Sequence, residues 1–172
     1  LTEEEVFGFY TEVARNVSLP ICVYDNPGTT HTDFSNPLYA RIAALPNIAS
    51  IQIPGVPEEL GSAKQRVNTL RAHLPDHIRI GVSGDAAAGN GLVAGCDVWF
   101  SVCGGLFPNT ALLFTQAAQA GDFATVATQA RRLEPPGALF RQHGGRLRGV
   151  LAAAAFPALG GGDNLPDPLR SF

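Results

Sequence analysis

Short runs of apolar residues alternate with amphipathic stretches along most of this chain, and that alternation sets the expected elements. Val6, Phe9, Tyr10, Val13 and Val17 recur at helical spacing behind Thr2-Glu3-Glu4-Glu5. A Thr followed three residues later by Glu is the signature of a capped helix start, and the acidic first turn suits the positive end of the helix dipole. Four near-continuous apolar runs follow, and each reads as a strand: Leu19 to Tyr24, Ile48 to Ile53, Ile78 to Val82, and Asp97 to Val102. Turn chemistry closes every one of them, in order Asp25-Asn26-Pro27-Gly28, Pro54-Gly55, Ser83-Gly84-Asp85 and Cys103-Gly104-Gly105. Between the strands lie predicted helices over Pro37 to Leu45, Glu58 to Leu74 and a short Ala/Gly-rich stretch ending at Gly95. Helices are then predicted over Thr110 to Ala120, Phe123 to Leu133 and Leu147 to Leu159, before a Gly/Pro-rich tail, Gly160 to Phe172.

Strands that are apolar throughout, rather than on alternate residues, belong to a parallel sheet covered on both faces. Strand-to-strand spacing fits repeated βα units. The expected class is therefore α/β. Four βα units do not close a barrel, and a barrel of eight units typically needs about 250 residues. The first and last strands would be open edges, which invite pairing. The chain of 172 residues opens on Leu1 and has no methionine. It therefore reads either as a piece of a longer polypeptide or as a sequence from which modified residues have dropped out.

Composition narrows the partners. The charge of −3 carries no basic stripe, which argues against nucleic acid. Apolar stretches such as Val150 to Leu159 are too short to span a bilayer, so no membrane is expected. Cys22, Cys96 and Cys103 sit in apolar runs without metal-ligand spacing and read as reduced core thiols of a cytoplasmic protein. His73 and His77 are separated by Pro75, which breaks the helical register that a metal pair would need. Gly89-x-Gly91-x-x-x-Gly95 misses the dinucleotide fingerprint and falls within a helical stretch. No metal or organic cofactor is expected.

In a parallel barrel, the carboxyl ends of the strands build the active site. Tyr24, at such an end, carries a hydroxyl that both donates and accepts, as a proton relay must. Taken alone, it could equally be a core tyrosine before an ordinary turn.

Several motifs in order carry a resemblance. Tyr24-Asp25-Asn26-Pro27-Gly28-Thr29-Thr30 is similar to the catalytic-tyrosine segment of the dihydrodipicolinate synthase / N-acetylneuraminate lyase family of pyruvate-type aldolases. Ile48-Ala49-Ser50-Ile51-Gln52-Ile53-Pro54 matches that family's lysine strand in position and flanks. Gly81-Val82-Ser83-Gly84-Asp85 and Gly95-Cys96-Asp97-Val98-Trp99-Phe100-Ser101-Val102 resemble its seventh and eighth strand ends, and Leu151 to Leu169 its last helix and tail. The resemblance implies a (β/α)8 TIM barrel, here strands five to eight over residues 1–109, with a C-terminal helical segment over 110–172. It implies lyase or aldol chemistry on a small 2-oxo acid or sugar acid. Tyr24 would be the proton relay, and Thr29, Thr30, Gly84 and Ser101 would meet the substrate. The missing N-terminal half of the barrel is an implied partner, and so is a second copy in a dimer or tetramer.

Two departures matter. The family's lysine condenses with the substrate carbonyl, and the protonated imine then acts as an electron sink. This chain has Gln52 there, whose nitrogen lone pair is delocalised into its own carbonyl, so it cannot be the nucleophile. The single lysine, Lys64, falls in a predicted outer helix and reads as a solvated surface residue. Thr29 stands where true dihydrodipicolinate synthases resemble one another in an arginine that grips a carboxylate through a bidentate fork. The expectation is thus an impaired lyase of this family or, alternatively, a non-catalytic subunit that binds a sugar acid or has a structural role.

Overall fold

The structure, a computed structural model, describes residues 1–142. The helix expected over Leu147 to Leu159, the tail from Gly160, and the motif Leu151 to Leu169 lie outside the described residues. The chain divides into two compact units, residues 1–100 and 101–172.

The first unit opens with helix α1, Glu3–Asn16. Its start is the predicted capping box: Thr2 N–H donates to Glu5 Oε2 (2.7 Å) and Glu5 N–H to Thr2 Oγ1 (3.3 Å). The strands are β1 (Ile21–Tyr24), β2 (Ile48–Ile53), β3 (Arg79–Ser83) and β4 (Val98–Phe100). All pairings are parallel and the spatial order is β1-β2-β3-β4. Between the strands run α2 (Pro27–Thr30), α3 (Asn36–Ala43), α4 (Leu60–Arg71) and α5 (Ala88–Val93).

Most elements shift by a few residues at their edges. The first strand loses Leu19 and Pro20, because proline has no N–H to give the ladder. The fourth is shorter than Asp97 to Val102, ending at Phe100. The turn expected after Tyr24 contains one helical turn, α2, with Pro27 at its start, a place where the missing N–H costs nothing.

Sequential strand order with parallel pairing makes this a singly wound sheet, as in a barrel, rather than a doubly wound one with a reversal. Burial agrees. Val23, Ile51, Ile53, Ile80 and Val82 are buried and share one core with Val6, Leu38, Tyr39, Ile42, Ala63, Val67 and Leu70 of α1, α3 and α4. The opposite face carries Cys22, Tyr24, Ser50, Gln52, Gly81, Ser83, Val98 and Phe100, and it is half open: Tyr24 is 48% exposed and Val98 38%. That face corresponds to the interior of a barrel. The sequence pattern suggested strands covered on both sides; among the described residues of this unit only one side is covered.

The second unit contains α6 (Pro108–Gln119) and α7 (Phe123–Gln142). Gly121 makes the turn between them in left-handed backbone (φ 73°), and Asp122 accepts from Thr125 N–H (3.0 Å) to start α7. Phe114, Ala117, Ala118, Val126 and Leu133 are buried. The sequence pattern ends the last of these helices at Leu133, before Pro135-Pro136; the structure carries it to Gln142. Proline's own φ is helical, but the pair removes ladder hydrogen bonds and crowds the preceding turn, which is why the sequence pattern alone stops the helix there. No helix among the described residues is long and apolar enough to cross a membrane.

Candidate active site

Parallel register brings Tyr24 and Gln52 side by side. Tyr24 pairs with Gln52, Gln52 with Gly81, and Gly81 with Val98. Residues in register on neighbouring parallel strands project to the same face. The phenol and the carboxamide therefore stand together at the carboxyl ends of β1 and β2. Gln52 is partly buried, and its Nε2 donates to Ser83 Oγ at 2.6 Å. Ser83 lies two residues beyond Gly81 on the same face, so this bond links the ends of two adjacent strands. The amide is oriented by a partner from β3 rather than left to rotate.

Two glycines shape this region. A Cβ at Gly81 would lie 2.2 Å from Phe100 Cε2 and 2.7 Å from Val98 Cγ2, so the ring of Phe100 lies across the glycine. Gly84 has φ 86°, a left-handed conformation that lets the chain turn sharply out of β3. It is followed by a 3₁₀ turn, Asp85–Ala87.

Thr29 and Thr30 are exposed and held within their own turn. Asn26 Nδ2 donates to Thr29 Oγ1 (3.1 Å), and Thr30 Oγ1 donates to the Asn26 carbonyl (3.0 Å). His31 closes the turn in left-handed backbone, φ 53°. Ser101 belongs to the second unit, where its Oγ accepts from Gly104 N–H at 2.7 Å. Lys64 is exposed on α4.

Behind Tyr24, on the covered side of the sheet, lies a group that sequence reasoning passed over. Asp25 is buried, its N–H donates to the Gln52 carbonyl (3.0 Å), and its Oδ2 accepts a very short hydrogen bond from the Tyr39 hydroxyl. Burial raises the Asp25 carboxyl above the usual carboxylate range; the Tyr39 hydrogen bond opposes this and Asp33 adds to it. Burial also raises the phenol of Tyr39, as does the carboxyl it touches. The Ser83 contact had no signal in the sequence, since only the register of Gly81 with Gln52 brings Ser83 beside that amide. The Asp25–Tyr39 contact had none either, because it joins a strand end to a helix face that only the fold brings together.

Comparison with known proteins bears on the family and the fold. The model of the dihydrodipicolinate synthetase family matches residues 1–156. Among curated proteins, the chain is 31% identical over 133 residues to a 4-hydroxy-tetrahydrodipicolinate synthase of Methylococcus capsulatus, a match covering 77% of this chain and 44% of that protein. It is 30% identical over 161 residues to the same enzyme of Phenylobacterium zucineum, covering 91% and 48%. Its structure resembles dihydrodipicolinate synthase of Agrobacterium tumefaciens with a TM-score of 0.85 at 34% identity, covering 98% of this chain and 55% of that one. The Aquifex aeolicus enzyme, at 18% identity and a TM-score of 0.80, shares the fold. The chain spans about half the length of the curated relatives it matches.

Proposed function

Because the chain belongs to the dihydrodipicolinate synthetase family, we propose that it takes a small 2-oxo acid or sugar acid at the strand ends carrying Tyr24 and Gln52, and that its Schiff-base step is impaired. One observation carries the reading. The position in register with Tyr24 holds a carboxamide, fixed by Ser83 at 2.6 Å, and not an amine. Imine formation needs a nitrogen lone pair to attack the carbonyl carbon, followed by loss of water. The Gln52 amide can do neither, but its N–H can donate to a substrate oxygen. Tyr24 would supply or accept a proton beside it, and Thr29, Thr30 and Gly84 would complete the binding surface. With Thr29 in place of an arginine fork, a second substrate carboxylate has no bidentate partner there.

A second reading, a non-catalytic binding subunit that kept the fold, draws on the same hydrogen bond. A neutral donor held between two strand ends suits reversible binding better than chemistry. In either case the remaining half of a barrel, and a second copy of the chain, are the partners we propose. The free cysteines, Cys22, Cys96 and Cys103, suit a cytoplasmic setting.

Borohydride reduction in the presence of pyruvate, followed by intact mass and peptide mapping, tests both readings. The native sequence is expected to give no reduced adduct. Gln52→Lys, with the complete barrel present, is expected to gain one pyruvyl mass at position 52. An adduct at Lys64 of the native chain would overturn the mechanism. No adduct on the Gln52→Lys protein would favour the binding subunit.

A further inference from the structure

Tyr24 stands at the end of a strand that is poorly held. β1 has only four residues, it is an edge of the sheet, and its register with β2 is irregular between Ile21 and Cys22. Ladder hydrogen bonds reach it from one side only, the last of them from Asp25 N–H to the Gln52 carbonyl. An edge strand so short would not by itself fix a side chain to the tolerance that a binding site demands.

Asp25 supplies what the ladder lacks. It is 3% exposed, and its Oδ1 has no hydrogen-bond partner among the described residues, while Oδ2 takes the Tyr39 hydroxyl. A buried carboxyl half satisfied in this way costs stability and calls for an explanation. Tyr39 is itself immobilised. It is fully buried in α3, its ring packs on Phe34 (5.6 Å between centroids), and the Arg66 guanidinium lies 5.8 Å from the ring centre. Arg66 in turn donates to Asn36 Oδ1 at 2.8 Å. Asp25 therefore ties the free end of β1 to a buried, packed side chain of α3. Tyr24, one residue earlier, projects to the other face.

We infer that Asp25, through Tyr39, is a positioning residue for Tyr24: the pair clamps the end of β1 from behind and sets where the phenol stands beside Gln52. Its consequence for ligand binding rests on the function proposed above; the clamp itself does not. The other titratable or charged groups facing the pair are Tyr10 from α1, Asp33 from the loop before α3, and Arg66 from α4.

The test uses the full chain labelled with ¹³Cζ-tyrosine, whose three tyrosines give three resonances. Tyr39→Phe keeps the ring and removes only the hydroxyl. Asp25→Ala removes the acceptor, and Asp25→Asn restores a neutral one. The Tyr24 resonance is expected to shift or broaden in Tyr39→Phe and Asp25→Ala and to return in Asp25→Asn, while the Trp99 indole resonance stays in place. Pyruvate binding, followed by titration, is expected to weaken about tenfold in the first two variants and recover in the third. If Asp25→Ala does not fold, Tyr39→Phe decides alone. An unmoved Tyr24 resonance in Tyr39→Phe would overturn the inference, even if pyruvate binding changed. A moved resonance with no pyruvate binding in any protein would uphold the clamp and overturn the proposed ligand.

Discussion

Two aspartates at strand termini are pushed in opposite directions, and the sign of each has a consequence for stability. Asp25 is raised above 3.8, first by burial. Asp97 experiences burial too, but Arg71 (2.6 Å), the Ile80 N–H (2.8 Å) and Arg79 (3.3 Å) outweigh it and its pKa is lowered. A carboxyl raised in the folded state ionises first in the unfolded chain. Its contribution is therefore whole below the ordinary value and is lost as pH rises through the folded one; Asp97 does the reverse and loses its contribution as pH falls. Asp25→Asn is expected to leave stability near pH 3 little changed and to raise it at pH 7 by about 1 kcal/mol, the scale of one unmet buried polar group. Asp97→Asn should destabilise at pH 7 and matter less in acid. Urea unfolding followed by Trp99 fluorescence across this range measures both, and parallel pH curves for native and Asp25→Asn chains would refute the first. At this scale the sequence displayed Tyr24, Gln52 and the Thr2–Glu5 cap, because each is defined by neighbours within a few positions. It did not display the Ser83 contact to Gln52 or the Tyr39 contact to Asp25. Both depend on which strand or helix the fold sets alongside.

At the scale of elements, the apolar pattern located every strand, yet it misjudged one helix face. The stripe Val6, Phe9, Tyr10, Val13, Val17 has helical spacing, but in α1 the buried side is rotated toward Phe7 and Ala14, and Phe9 is 61% exposed. Arg41 explains part of the rotation. It stacks on the Phe7 ring at 4.2 Å and grips Glu4 through two hydrogen bonds of 2.7 and 2.9 Å, so α3 draws that side of α1 inward. Periodicity gives the width of a stripe; the neighbour decides its centre. The tightest contacts in the sheet were equally hidden. Gly81 reads as an ordinary strand glycine, but Phe100 and Val98 occupy the space of its missing side chain. Gly81→Ala is expected to cost about 1–3 kcal/mol, since the Phe100 ring must leave its position. Gly8→Ala, in α1 with nothing within 4 Å of the added carbon, should instead stabilise by about 0.5–1 kcal/mol. Urea midpoints of the two variants provide the comparison, and a neutral Gly81→Ala would show that Phe100 moves freely.

For the whole molecule, the governing fact is a sheet with the sequential parallel order of part of a barrel, which among the described residues ends in two strands with a partner on one side only. A closed barrel has no edges, because its first and last strands pair. Here β1 and β4 are the ends of the order β1-β2-β3-β4, and the face bearing Tyr24, Gln52 and Phe100 is half exposed instead of enclosed. Unpaired N–H and C=O groups along an edge are a template for another strand. The exposed face adds an aromatic ring and the side chain of Val98, which lose contact with water on pairing. Parallel strands pair only when chains align in one direction, which favours the β4 edge of one copy meeting the β1 edge of the next. The chain on its own is therefore expected to self-associate at concentrations of about 10–100 µM, with a light-scattering mass well above 18.1 kDa and with reduced binding of a hydrophobic dye as association proceeds. Sharing a barrel with its complementary strands should suppress this association, since the same edges would then be paired. A stable monomer at these concentrations, with helical and sheet content intact, would show that a half-barrel sector tolerates two open edges, and the argument from edge pairing would fail for this fold.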